Sequence, residues 1–146
     1  MRPKKYSCPD DYALYVEKLL QLESDSELNT VLEIARKMGT PPLQVTSFDA
    51  KHLEVLSRLI KPHKILEFGT LCGFSSVVLA RGLTSNGVLY TVERSEHHAK
   101  VAAEVFSQLK LNDKIKILQG NGLERLSHLS EQGPFDLIFL DADKEN

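Results

Sequence analysis

The stretch Lys64-Ile65-Leu66-Glu67-Phe68-Gly69-Thr70-Leu71-Cys72-Gly73-Phe74-Ser75-Ser76 constrains this chain more than any other. Ile65, Leu66 and Phe68 make the short apolar run that a buried parallel strand needs. Gly69 and Gly73 let the backbone turn tightly and approach a ligand closely. Ser75 and Ser76 open a helix that continues through Val77, Val78, Leu79 and Ala80. A strand feeding a helix N-terminus through glycines is a site for a small, nucleotide-like molecule. The spacing is not the G-x-G-x-x-G of a dinucleotide site. It is acidic-x-Gly-x-x-x-Gly, with Glu67 ahead of the first glycine. A carboxylate there repels a pyrophosphate and suits a cationic or amine-bearing ligand.

Two further strand ends support that reading. Gly87-Val88-Leu89-Tyr90-Thr91-Val92-Glu93 is a second short strand ending in an acid. An acid there, about 20 residues past the glycine loop, is placed to hold ribose hydroxyls. The plain alternative is a solvated residue at a strand end. Phe135 to Leu140 is a further apolar strand, and it opens into Asp141-Ala142-Asp143-Lys144-Glu145-Asn146. Ligands of open α/β sheets bind beyond the carboxyl ends of the strands. Asp141, Asp143 and Lys144 would thus share a crevice with Gly69 and Glu93. Such oxygen ligands suit a hard cation like magnesium. A lysine beside it could act as a base. A solvated acidic loop is the plain alternative here too.

With these residues in view, the sequence resembles the class I S-adenosylmethionine-dependent O-methyltransferases. It is most similar to the small cation-dependent group of the catechol and caffeoyl-CoA enzymes. Leu66-Glu67-Phe68-Gly69-Thr70 through Gly73-Phe74-Ser75 matches that group's first motif, and Phe139-Leu140-Asp141-Ala142-Asp143-Lys144 matches its Asp-Ala-Asp-Lys signature. The second match is the more specific. The resemblance runs from about Leu43 to Asn146.

The resemblance implies roles position by position. Glu67 and Gly69 would flank the amino acid end of S-adenosylmethionine, and Ser75 would bond its carboxylate. Glu93 would hold the ribose, Gly122 would lie near the adenine, and Val45 would approach from the N-terminal side. Asp141 would ligate a divalent cation, magnesium or manganese, beside the cofactor. Asp141 and Lys144 would form the catalytic centre, with Lys144 as candidate base. Cys72, Glu93 and Gly122 stand where the group usually has Thr, Asp and Ala, and none of these changes removes a needed functional group. Family members continue beyond this lysine with an Asp-Asn pair and three more strands. A chain ending at Asn146 is therefore expected to bind metal weakly, to transfer no methyl group, and either to self-associate through the apolar strand 135–141 or to be part of a longer protein.

The rest of the chain fits a Rossmann-like α/β domain over residues 43–146, preceded by a helical segment over residues 1–42. Pro9-Asp10-Asp11 offers a cap for a first helix with Tyr12, Tyr15, Val16, Leu19 and Leu20 on one face. A second helix starts at Ser26 with Leu28, Val31, Leu32 and Ala35 inward and Gly39 at its end. Asp49 caps a third through Ile60, with Leu53, Leu56, Leu59 and Ile60 inward. Then strands 63–69, 87–93, 114–119 and 135–141 alternate with helices 74–83, 95–110 and 122–130. That alternation argues for a parallel sheet, and the family topology gives it the order 3-2-1-4. The N-terminal helices either cover one sheet face or form a cofactor lid or homodimer contact.

With 146 residues the chain can hold one domain with a sizeable core. A net charge of −2 and a pI near 6.2 give no electrostatic case for nucleic acid or anionic membrane. The basic start leads into no apolar signal segment, and no run approaches the about 18 residues of a membrane span. Cys8 and Cys72 read as reduced thiols of a cytoplasmic protein. His52, His63, His97, His98 and His128 are not expected to be catalytic, since the cation should prefer oxygen. The leading function is methyl transfer to a hydroxyl of a small, catechol-like aromatic. The alternatives are an inactive cofactor-binding fragment acting by association and, against the spacing, a nicotinamide-dependent oxidoreductase.

Overall fold

The structure, a computed structural model, describes residues 25–142 together with Tyr15, Lys18 and Leu19. In chain order its elements are α1 (Ser26–Lys37), α2 (Ser47–Ile60), β1 (Lys64–Phe68), α3 (Phe74–Ala80), β2 (Val88–Glu93), α4 (Glu96–Gln108), β3 (Ile115–Gln119), α5 (Gly122–Gln132) and β4 (Leu137–Leu140). The four strands are parallel and lie in the order β3-β2-β1-β4. This is the Rossmann-like order that the family topology implies. Expected and observed bounds differ by up to three residues, as frayed ends do.

Alternation along the strands sorts side chains onto two faces. Ile65, Leu89, Ile115, Leu137 and Phe139 face the larger core with α1, α3 and α4. Leu66, Phe68, Tyr90, Val92 and Leu118 face a smaller one closed by Leu129 of α5 and by Phe135. The apolar strand before the acidic cluster has one covered face. Ile138 and Leu140, on the other face, are 55 % and 67 % exposed, and among the described residues β4 pairs with β1 alone. The start of β4 is pinned by Asp136, whose carboxylate accepts the His63 and Lys64 amides at 2.7 and 2.9 Å. Those two bonds hold its carboxyl well below the usual range.

Helix α1 packs mainly on α3 and α4, and α2 on α3. These N-terminal helices therefore form a layer outside the helices that cover the sheet. Leu28, Val31, Ile34 and Ala35 of α1 share the main core, which runs unbroken across position 42. Ile34, not the half-exposed Leu32, completes the inward face. The end of α1 is a Schellman turn. Gly39 has φ +74°, its amide reaches Arg36 O, and the Thr40 amide reaches Ala35 O.

Helix α2 corrects two expectations. Its N-cap is Thr46, and Asp49 is the third residue of a reciprocal cap. Thr46 Oγ1 accepts the Asp49 amide at 3.1 Å and donates to Asp49 Oδ2 at 2.9 Å. Its buried residues are Ala50, Glu54 and Ser57, while Leu56, Leu59 and Ile60 face outward, Leu59 at 75 % exposure. The reason is packing distance. Gly82 lies so close to Ser57 that an added Cβ would fall 2.3 Å from its carbonyl carbon. Only small residues fit that seam. Leu53 is inward as expected. Tyr15 and Leu19 are helical and exposed. The other residues assigned to the first helix, and Cys8, lie outside the described residues.

Candidate active site at the carboxyl edge of the sheet

Register brings the predicted residues together. Phe68 pairs with Val92 on one side and Leu140 on the other. The next residues, Gly69, Glu93 and Asp141, therefore stand side by side at the carboxyl ends of β1, β2 and β4. Gly69, at φ +99°, lies flush on the Asp141 backbone, and an added Cβ would come within 2.9 Å of the Asp141 carbonyl. The Gly69 amide bonds Val92 O at 3.0 Å and the Asp141 amide bonds Phe68 O at 2.9 Å. Any side chain at 69 would drive β1 and β4 apart.

Glu93 closes the glycine loop from the side. Its Oε2 accepts the Leu71 amide at 2.9 Å and its Oε1 accepts the Ser95 amide at 2.8 Å. Leu71 is held in the left-handed region at φ +49°, a conformation that costs an ordinary residue about 1 kcal/mol or more. A non-glycine residue held there at a strand-to-helix turn marks a loop fixed by its surroundings. His98 Nδ1 sits 3.7 Å from Glu93 Oε1 at the rim. His52 bonds Phe48 O and His63 bonds Thr84, both away from this edge.

Glu67 lies beneath the loop, fully buried, on the α3 side of β1. Its Oε1 accepts Ser75 Oγ at 2.6 Å, and its Oε2 accepts Ser76 Oγ. Thr91, its register partner on β2, places a third hydroxyl on the same face. Burial pushes the Glu67 carboxyl above its ordinary range, and the three hydroxyls oppose that shift. The Ser75 hydroxyl proton is thus committed to Glu67, and what Ser75 offers outward is its amide. Helix α3 begins at Gly73 with no side-chain cap. The amides of its first turn have no carbonyl behind them. They form a donor set suited to a carboxylate.

Gly73 is required by packing. At φ +81° an added Cβ would lie 2.5 Å from the buried Phe106 ring. Gly122 opens α5 against the Phe68 ring, where an added Cβ would fall within 2.9 Å. Asn121 caps that helix through the Leu123 amide at 2.9 Å. Val45 is buried in the main core just before α2. Cys72 is buried in the loop, and burial pushes its thiol up. Asp143 and Lys144 lie outside the described residues. Among the described residues no three His, Cys, Asp or Glu side chains cluster as a metal site. Asp141 is thus one oxygen donor, not a shell. Sequence reading missed Ser76, Thr91 and Thr70. Thr70, Ser75 and Ser76, three hydroxyls within nine residues after Glu67, were the available signal, while Thr91 is brought in by the neighbouring strand.

The profile of the O-methyltransferase family matches residues 11–146. The chain belongs to this family. It is 38 % identical over 132 residues to a catechol O-methyltransferase of Niastella koreensis, covering 89 % of this chain and 59 % of that protein. A crystal structure of an O-methyltransferase from Bacillus cereus, in complex with SAH, superposes with a TM-score of 0.86 at 37 % identity. The match covers 93 % of this chain and 62 % of that one. The O-methyltransferase TomG of Streptomyces achromogenes, involved in tomaymycin synthesis and solved with SAM, superposes at 0.82 with 32 % identity. Coverage there is 99 % of this chain and 64 % of that one. The chain thus spans less than two thirds of the length of these relatives. Among the described residues, no helix is long and apolar enough to cross a membrane.

Proposed function

We propose that the protein carrying this chain transfers a methyl group from S-adenosylmethionine to a hydroxyl of a small, catechol-like aromatic, with help from a divalent cation. The observation that carries the reading is the row Gly69, Glu93 and Asp141 along one edge of the sheet, in a chain of the O-methyltransferase family. The donor set fits the cofactor. Glu93 offers the free lone pairs of a strand-end carboxylate to two ribose hydroxyls. The uncapped first turn of α3 would receive the amino acid carboxylate. Gly122, at the start of α5, would bring its backbone N–H near the adenine. The sulfonium of the bound cofactor supplies an electrophilic methyl. The chain's residues orient it for in-line attack. Asp141 would be one carboxylate ligand of the cation, and Lys144 is the candidate to take the acceptor's proton.

The test is calorimetric titration with S-adenosylhomocysteine. Glu93→Ala removes charge-assisted bonds, each worth about 1.5–3 kcal/mol, and is expected to weaken binding by at least about tenfold. In the full-length protein, chelation should abolish turnover of a catechol, magnesium or manganese should restore it, and Asp141→Asn should raise the metal requirement. An unchanged dissociation constant would remove Glu93 from the site. Turnover that survives both chelation and Asp141→Asn would leave only methyl transfer without a cation.

A further inference from the structure

The glycine loop is anchored at both ends by buried hydroxyls gathered around one carboxylate. Thr70 begins the loop, and its Oγ1 lies 2.6 Å from Thr91 Oγ1. Thr91 is the register partner of Glu67 on the neighbouring strand, so its hydroxyl lies on the same face of the sheet as the carboxylate. Thr70 thus bonds Thr91 beside Glu67, and Ser75 and Ser76 reach Glu67 from the opposite end of the loop. Thr91 and Ser76 are both fully buried, and Thr70 nearly so. Water cannot replace these bonds. Because Ser75 and Ser76 are consecutive, each taking one carboxylate oxygen, the grip fixes both the position and the rotation of the first turn of α3.

We propose that Ser76 and Thr91 are positioning residues for the cofactor site: with Ser75 they gather around Glu67, and there they hold Thr70 and the first turn of α3 in binding geometry. This rests on the reading that the site takes S-adenosylmethionine. In it Glu67 acts through the loop and helix, not by touching the ligand. Locking of site groups by buried neighbours is how binding geometry is held to fractions of an ångström. Neither residue faces the crevice, so their loss is felt only through the backbone that they hold.

Four proteins separate this from a direct contact: Ser76→Ala, Thr91→Val, Glu67→Gln and the double variant Glu67→Gln/Ser76→Ala. Thr91→Val keeps the side-chain volume and serves where a smaller residue unsettles the fold. Hydrogen exchange of the amides at 70–77 and the dissociation constant for S-adenosylhomocysteine are read for each, well below the unfolding temperature. The expected result is faster exchange confined to 70–77 and binding weakened about fivefold or more by Ser76→Ala and by Thr91→Val. The effect of Glu67→Gln should shrink in the Ser76→Ala background, as it must when both act through one element. Faster exchange with unchanged binding would make these residues merely structural and overturn the proposal. So would a Glu67→Gln effect of full size in the Ser76→Ala background, which would place Glu67 on the ligand itself. A parent chain that binds no S-adenosylhomocysteine defeats the functional reading, and exchange alone then rules on whether the grip exists.

Discussion

Helix α3 is finished at one end and left open at the other. At its C-terminal end the Leu79 carbonyl accepts Ser57 Oγ at 2.7 Å. Arg81 follows, and its guanidinium takes Asp25 in a two-pronged pair at 2.7 and 2.8 Å, Glu27 at 2.7 Å and Glu54 at 3.2 Å. A cation there complements the helix dipole. One side chain so joins the N-cap of α1, the middle of α2 and the end of α3. At the N-terminal end the cap is a glycine without a side chain. The only carboxylate beneath, Glu67, bonds hydroxyls and leaves the first-turn amides alone. The difference teaches where stability and function are separated. Charges at the closed end satisfy one another, while hydroxyls at the open end fix geometry without occupying the donors that a ligand would use.

The largest expected effect comes from breaking the closed end. Arg81→Ala leaves Asp25 and the nearly buried Glu54 facing each other without their shared cation. Removing one partner of a buried pair costs about 3–5 kcal/mol, and the partly wet Asp25 and Glu27 place this site near about 3 kcal/mol. Glu54 keeps Lys51 and Arg58, which also favours the lower figure. Urea denaturation should show that loss, with the affinity for S-adenosylhomocysteine changed less than about twofold. A large change in affinity with little loss of stability would erase the distinction between the two ends.

A smaller effect on stability is expected at the open end. Gly73→Ala puts a Cβ against a Phe106 ring that is itself buried and cannot step aside, in a left-handed backbone. Overpacking and the unfavourable φ together cost about 2 kcal/mol. Here binding should suffer along with stability, because the displaced residue is the cap of α3. The comparison sharpens if the ratio of binding loss to stability loss is greater for Gly73→Ala than for Arg81→Ala. Equal ratios would mean that the helix moves as one body and that its ends are not independent.

These two ends were unequally legible in the sequence. The open end follows a local pattern: apolar strand, acid, two glycines, helix, all within thirteen residues. Local patterns carry their own geometry, so Gly69, Glu93 and Asp141 were read at strand ends, and register put them in a row. The closed end is built from residues at 25, 27, 54 and 81. No periodicity links them, and only the folded chain brings them together. The same limit explains α2. Hydrophobic spacing pointed Leu56 and Leu59 inward, yet the close approach at Gly82 admits only Ser57 and Ala-sized neighbours. Gly73 was read as serving a ligand, whereas Phe106, 33 positions away along the chain, is what excludes a side chain there.

Acid provides the mildest way to open the closed end. The Arg81 guanidinium bonds Asp25 and holds its carboxyl below the ordinary 3.8, with the Leu28 amide helping against burial. For Glu54, burial raises the carboxyl, but the bonds from Arg58 and Lys51 and the charge of Arg81 outweigh it, so it too lies below its ordinary 4.5. A carboxyl depressed in the folded state contributes stability that is complete above its unfolded value and is lost as pH falls through the folded one. The contribution of this cluster should thus be flat near neutrality and fade below about pH 4.5. Glu67 has the opposite sign. Its carboxyl is raised by burial, so it favours the folded state more in acid and costs stability as pH rises past its ordinary value. Denaturation midpoints measured from pH 7 downward should therefore show a steeper acid loss in Glu67→Gln, which lacks the opposing term, than in the parent chain. Arg81→Ala should be the flattest of the three, since Asp25 loses its main reason to titrate low and Glu54 keeps only Arg58 and Lys51. The effect is smaller than that of either substitution above, because a protonated carboxyl still accepts hydrogen bonds from the guanidinium that it faced. An acid limb equally steep in Arg81→Ala would show that other carboxylates, and not this cluster, govern acid unfolding.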